Sequence, residues 1–158
     1  MLSFCNLSEE ESTQFAYNFA RVVNHGVIFL DGNLGAGKTF FCRNLIFALG
    51  YTGKVKSPTF TLVEHYCSNN INIYHCDLYR LTDPLELEFI GVLDDLNANN
   101  LCLIEWANNG QGMLPAADLT LRIDIIQDKR DYFLSSSSQL GKQFLTKLHR
   151  LANNFYHV

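Results

Sequence analysis

The sequence predicts an α/β fold: one domain in three layers, with a mostly parallel central sheet between helices. Two apolar runs and the segment between them carry that prediction. Gly26-Val-Ile-Phe-Leu30 is continuously apolar and ends at Asp31-Gly32, as a strand buried on both faces does. A glycine-rich turn and a helical stretch follow at once. Leu101-Cys-Leu-Ile-Glu105 is a second run of the same kind. A length of 158 residues suits a single domain, 1–158.

Taken in order, Ser8 with Glu11 reads as a capping box, so a helix is expected from Glu9 to Asn24, burying Phe15, Phe19, Val22 and Val23. The Gly26–Leu30 strand comes next. Thr39 to Leu49 continues as a helix that Gly50 and Gly53 stop. Strands are expected at Phe60–Tyr66, Ile71–Cys76, Leu101–Glu105, Leu119–Ile126 and Tyr132–Ser135 from their β-branched and aromatic content, with a helical piece at Pro84–Ile90. Gly141 to Asn153 carries Phe144, Leu148 and Leu151 on one face, continued by Phe155, and reads as an amphipathic helix that packs on the domain, with a partner surface as the alternative. The Ser135–Ser138 run is a turn before it.

Composition removes several function classes. Hydrophobic residues make up 47% and aromatics 13%, which promises a filled core rather than disorder. A net charge of -4 argues against gripping nucleic acid by phosphate neutralisation, so contact with RNA is expected to be indirect or local. Five cysteines without a C-x-x-C pair do not make a disulfide framework and suit a reducing cytosol. Glu9 to Glu11 interrupt the start of the chain where a signal peptide would be basic then apolar, and no apolar run approaches the ~18 residues of a membrane span. A cytoplasmic protein with no membrane association is expected.

Gly32-Asn33-Leu34-Gly35-Ala36-Gly37-Lys38-Thr39 is a full G-x-x-x-x-G-K-[ST] match, standing between a strand and a helix as a P-loop does. Glycines let successive backbone N–H groups turn inward to phosphate oxygens, and the following helix presents its positive end. Lys38 adds a cation at the β- and γ-phosphates, and the Thr39 hydroxyl is placed for magnesium. The fold class is therefore P-loop NTPase-like, with ATP/ADP and Mg2+ as cofactors. No N-K-x-D segment is present to read guanine.

Such a loop needs a carboxylate at the end of a neighbouring strand. Glu105 ends an apolar run and Asp77 ends the alternating segment Ile71-Asn-Ile-Tyr-His-Cys-Asp77, and spacing does not choose between them as the direct ligand. His65, Cys67, His75 and Cys76 match no zinc spacing, so a zinc centre is not expected.

Several blocks beyond the loop together resemble the bacterial TsaE (YjeE) family, the ATPase of tRNA threonylcarbamoyladenosine formation. They are Ser57-Pro-Thr-Phe-Thr-Leu-Val-Glu64, His75-Cys-Asp-Leu-Tyr-Arg-Leu81, Asp83-Pro-Leu-Glu-Leu-Glu-Phe89 and Leu103-Ile-Glu-Trp106. The resemblance spans Leu7 to Arg130. It implies slow ATP hydrolysis in concert with TsaB and TsaD, downstream of TsaC, with tRNA met indirectly. It also implies that Glu105 shares magnesium with Thr39, that Asp77 supports the metal or its water, and that Thr59 lies in a switch-like loop near the γ-phosphate. Adenine is then expected against Leu7 and Ser8, with Phe40 and Arg130 among the nucleotide contacts. Tyr79, Arg80 and Trp106 match family blocks without a role that the residues themselves supply. A small-molecule kinase and a non-catalytic nucleotide sensor are the competing functions; the scattered single arginines supply no kinase-like lid.

Overall fold

In a computed structural model, residues 1–155 are described, with side chains as far as Asn153. The elements, in chain order, are β1 (Leu2–Leu7), α1 (Glu9–Ala20), β2 (Gly26–Asp31), α2 (Lys38–Ala48), β3 (Val63–Ser68), β4 (Ile71–Asp77), α3 (Glu86–Ile90), β5 (Leu101–Glu105), β6 (Leu119–Ile126), β7 (Lys129–Ser136) and α4 (Gln139–Phe155). Short 3-10 turns stand at Leu93–Asp95 and Ala107–Gly110.

The strands form one seven-stranded sheet in the order β1-β7-β6-β2-β5-β4-β3. The central strands β6, β2, β5 and β4 run parallel, while β3, β7 and β1 join antiparallel at the two sides. After β2 the chain builds the β4 side, returns through β5, then crosses to β6. The crevice that this reversal leaves at the carboxyl ends of the strands is where α/β sheets bind ligands.

Side chains alternate along the central strands, so the sheet separates two apolar layers. Ile28, Leu30, Leu101 and Leu103 face one core, shared with Phe15 and Phe19 of α1, Phe41 and Leu45 of α2, and Phe144 and Leu148 of α4. Val27, Cys102 and Ile104 face the other, covered by Leu78, Leu81, Leu87 and Val92. The three layers are thus unequal, with long helices on one face and short pieces on the other. Aromatic packing fixes α1 and α2 against the sheet: Phe15 lies 4.6 Å from Tyr132, and Phe19 meets Phe41 edge-on at 5.3 Å. Because Phe41 follows Thr39 by two residues, this core anchors the start of α2 and with it the glycine loop.

Some boundaries differ from the sequence expectations. The capping box forms, with Glu11 N–H donating to Ser8 Oγ at 3.2 Å and Ser8 N–H to Glu11 Oε2 at 2.7 Å, but α1 stops at Ala20 rather than Asn24. The strand expected from Phe60 begins at Val63: Leu62 takes a left-handed φ of 66° and its N–H closes a turn on Pro58 O at 2.8 Å. That turn leaves Phe60 83% exposed. Strand β1 was not expected at all, and β7 extends further at both ends than Tyr132–Ser135. The apolar face of α4 packs on the domain through Phe144, Leu148 and Ala152; the continuation at Phe155 lies outside the described side chains. Among the described residues no helix is long and apolar enough to cross a membrane.

Candidate functional site

The glycine loop joins β2 to α2 at the crevice. Gly32 has φ 144°, and a Cβ there would meet Ile123 O at 2.5 Å, so the close approach of loop to β6 excludes a side chain. Gly37 has φ 103°, and its missing Cβ leaves room for Arg130, whose Nε would stand 3.0 Å away. Helix α2 starts at Lys38, so its first N–H groups, which have no partner inside the helix, open onto the crevice.

A cavity of about 520 Å³ lies there, the size range of small-molecule sites. Leu34 to Phe40 form one wall and Thr59, Asp77 and Glu105 stand across from it, with Arg80 and Arg130 also lining the space. Gly32 instead lines a smaller neighbouring cavity of about 240 Å³ with Asp31 and Asn108. Asn33 contributes its carbonyl as an acceptor for Lys38.

Lys38 is only 5% exposed. Its Nζ donates to the carbonyls of Gly32 and Asn33, the latter at 3.0 Å, and sits 4.4 Å from the centre of the Trp106 ring. Burial pulls its pKa down, opposed by the charges of Glu105, Asp31 and Asp77. The ammonium therefore has a strong reason to seek an anionic partner.

The two acids expected from the sequence meet as neighbours. Asp77 ends β4, Glu105 ends β5, and they are register partners across the parallel pair. Glu105, 2% exposed, accepts from Thr39 Oγ1 at 2.9 Å through Oε1 and 3.2 Å through Oε2. His75 Nε2 lies 2.8 Å from the same Oε1. Asp77 accepts from Tyr79 N–H at 3.0 Å and from Thr59 Oγ1 at 3.4 Å. Its pKa is raised by burial, partly offset by the Tyr79 N–H bond. A hydroxyl and two carboxylates on one floor are hard oxygen donors, the set that suits magnesium.

Thr59 thus lies beside Asp77, in the turn that also exposes Phe60. Arg80 covers the Phe60 ring at 4.5 Å. Trp106 has a left-handed φ of 57°, uncommon for a bulky residue, and packs on Tyr79 at 5.0 Å. Neither contact was foreseen from sequence. His75, which fits no zinc spacing and opens the His75–Leu81 block, stands two residues before Asp77 in β4 and so shares its face.

Leu7 and Ser8 are placed differently from the residues above. The Leu7 side chain is buried in the core, the Ser8 hydroxyl caps α1, and neither lines the main cavity. They do adjoin it: Leu7 pairs with Arg130 across β1 and β7, and the Arg130 guanidinium lies 4.8 Å from the Phe40 ring and 3.9 Å from the Glu9 carboxylate.

The sequence matches the family described as "Threonylcarbamoyl adenosine biosynthesis protein TsaE" over residues 7–132. It is 48% identical over 120 residues to the tRNA threonylcarbamoyladenosine biosynthesis protein TsaE of Haemophilus influenzae, covering 76% of each chain. The protein of that name from Bacillus subtilis is 36% identical over 123 residues, with 77% of each covered. The fold superposes on the crystal structure of Bacillus subtilis YdiB with a TM-score of 0.75 and 28% identity, covering 96% of both chains. By the family match over residues 7–132 and the identity to these relatives, the chain belongs to the TsaE family of threonylcarbamoyladenosine biosynthesis proteins.

Proposed function

We propose that this protein binds ATP with magnesium, hydrolyses it slowly, and acts in the cytoplasm with TsaB and TsaD, downstream of TsaC, in forming threonylcarbamoyladenosine in tRNA. The observation that carries this reading is the meeting of Lys38, Thr39, Asp77 and Glu105 around one cavity of small-molecule size. Backbone N–H groups from Gly35 to Phe40 cradle the phosphates, and Lys38 exchanges the carbonyls of Gly32 and Asn33 for β- and γ-phosphate oxygens. Thr39 and Glu105 would hold magnesium, which supplies charge neutralisation at the phosphates when bound. Asp77 would support the metal or its water, and Thr59, hydrogen-bonded to Asp77, would approach the γ-phosphate from the turn that Leu62 N–H closes on Pro58 O. Phe40 and Arg130 flank the base or ribose, with adenine against the Leu7–Ser8 edge.

Contact with transfer RNA is indirect in this reading, through the partner proteins, because a net charge of -4 disfavours gripping it by phosphate neutralisation. Complex formation with TsaB–TsaD in the presence of ATP, of ADP and of no nucleotide tests the reading. Different affinities in the three conditions are expected; equal affinities would remove the nucleotide cycle from the proposal.

A further inference from the structure

Beneath the glycine loop lies a polar pair that phosphate binding does not use. His75 is fully buried, and its Nε2 stands 2.8 Å from Glu105 Oε1. The pair sits between the sheet and α2, where the Cys42 sulfur completes a group whose atoms all lie within 4.8 Å of one another. Burying such groups is costly unless their hydrogen bonds are made, so the pair has to be explained. An ionised carboxylate only accepts, which makes His75 Nε2 the donor. His75 Nδ1 is buried without a hydrogen-bond partner among the described residues, so the ring's polar contact is directed at Glu105 alone.

The carboxylate is held unevenly. Oε1 accepts from both His75 Nε2 and Thr39 Oγ1, at 2.8 and 2.9 Å, whereas Oε2 has the longer 3.2 Å contact to Thr39. We infer that His75 is a positioning residue for Glu105: its Nε2–H ties Oε1 to the sheet and holds Oε2 and the Thr39 hydroxyl toward the cavity for the cation. This rests on the magnesium reading of the site given above. A glutamate fixed by one oxygen has less side-chain freedom to lose when it takes up a metal role, which is why partners behind a ligand commonly carry ten- to a hundredfold of metal affinity, as an order of magnitude (~10 to ~100).

The test measures binding of methylanthraniloyl-ATP to the purified protein across a magnesium titration and, separately, in EDTA. His75→Leu keeps bulk without a donor and should raise the half-saturating magnesium about tenfold while leaving the EDTA affinity unchanged. His75→Gln can place its amide nitrogen near the lost Nε2 and should recover most of the loss. His75→Asn is too short to reach and should behave like His75→Leu. If His75→Leu does not fold, the Gln and Asn pair decides. In a Glu105→Gln background the His75→Leu change should add nothing to the magnesium requirement. The proposal is overturned if Gln and Asn are indistinguishable, if the effects of His75 and Glu105 simply add, or if EDTA affinity falls as much as magnesium affinity. A parent protein whose binding ignores magnesium would remove the underlying reading as well; a magnesium-dependent parent with unresponsive variants would remove this inference only.

Discussion

Asp77 and Glu105 end adjacent parallel strands as register partners, so two carboxylates share one floor beneath the glycine loop. Only Glu105 is hydrogen-bonded to the Thr39 hydroxyl, while Asp77 faces Thr59 and the Tyr79 backbone. That division of partners predicts different phenotypes. Glu105→Gln should retain nucleotide binding, since the backbone donors remain, and lower turnover at least ~tenfold. Asp77→Asn should lower turnover with less effect on the magnesium requirement. A magnesium titration of steady-state hydrolysis for both variants checks the ranking, and the reverse order would exchange the two roles.

Asp77 also predicts a stability effect. Burial raises its folded-state pKa, so the native protein takes up this proton at a higher pH than the unfolded chain does. The stability from this group is therefore present below the ordinary value near 3.8 and is lost as pH rises through the folded value. In nucleotide-free, magnesium-free buffer, Asp77→Asn should melt above the parent at neutral pH, and the gap should close as the solution is acidified. Thermal melts at several pH values show this directly; a gap that widens on acidification contradicts the burial account.

Lys38 predicts a spectroscopic signal. Its Nζ lies 4.4 Å from the ring of Trp106, the only tryptophan in the sequence. If Lys38 leaves the Gly32 and Asn33 carbonyls for phosphate oxygens, the indole loses a charge from its face. Emission should shift when magnesium and ATP are added. Lys38→Ala should show altered emission without nucleotide, a smaller response to it, and no detectable hydrolysis. Unchanged emission on demonstrated binding would mean that Lys38 does not move.

The cysteines predict a pattern of labelling. Cys5 and Cys67 are exposed, whereas Cys42, Cys76 and Cys102 are buried, and burial pushes the Cys102 thiol up to about 12. Thiolate is the reactive form, so native protein should take up two alkyl groups quickly and all five only after denaturation. Intact-mass analysis counts them, and rapid labelling of a third thiol would show that the core opens under Cys42 or along β4 and β5.

The parts of this molecule legible in the sequence are those fixed by local constraint. Gly32 to Thr39 could be read because turn geometry, phosphate chemistry and helix start all act within a few residues. Glu105 and Asp77 were legible as strand ends, but their side-by-side register depends on β4 and β5 pairing, which no local signal fixes. Strand β1 was hidden for the same reason: its sequence is mixed, and its pairing to β7 includes an Asn6 N–H bond to Asp131 Oδ1 across 125 positions. The start of β3 was misplaced because Phe60 looks like a strand residue, while the left-handed backbone at Leu62 holds it in an exposed turn. The pairing of His75 was not legible because its partner is a carboxylate 30 positions away rather than a neighbouring ligand.

The proposed function makes a working nucleotide site in this protein a requirement for threonylcarbamoyladenosine formation. Quantifying that nucleoside in tRNA tests it most directly, in cells depleted of the protein and complemented with either the parent or Lys38→Ala. Depletion should lower the modification, the parent should restore it, and Lys38→Ala should not, although it folds. A normal level of the modification in depleted cells, or full restoration by Lys38→Ala, would contradict the account.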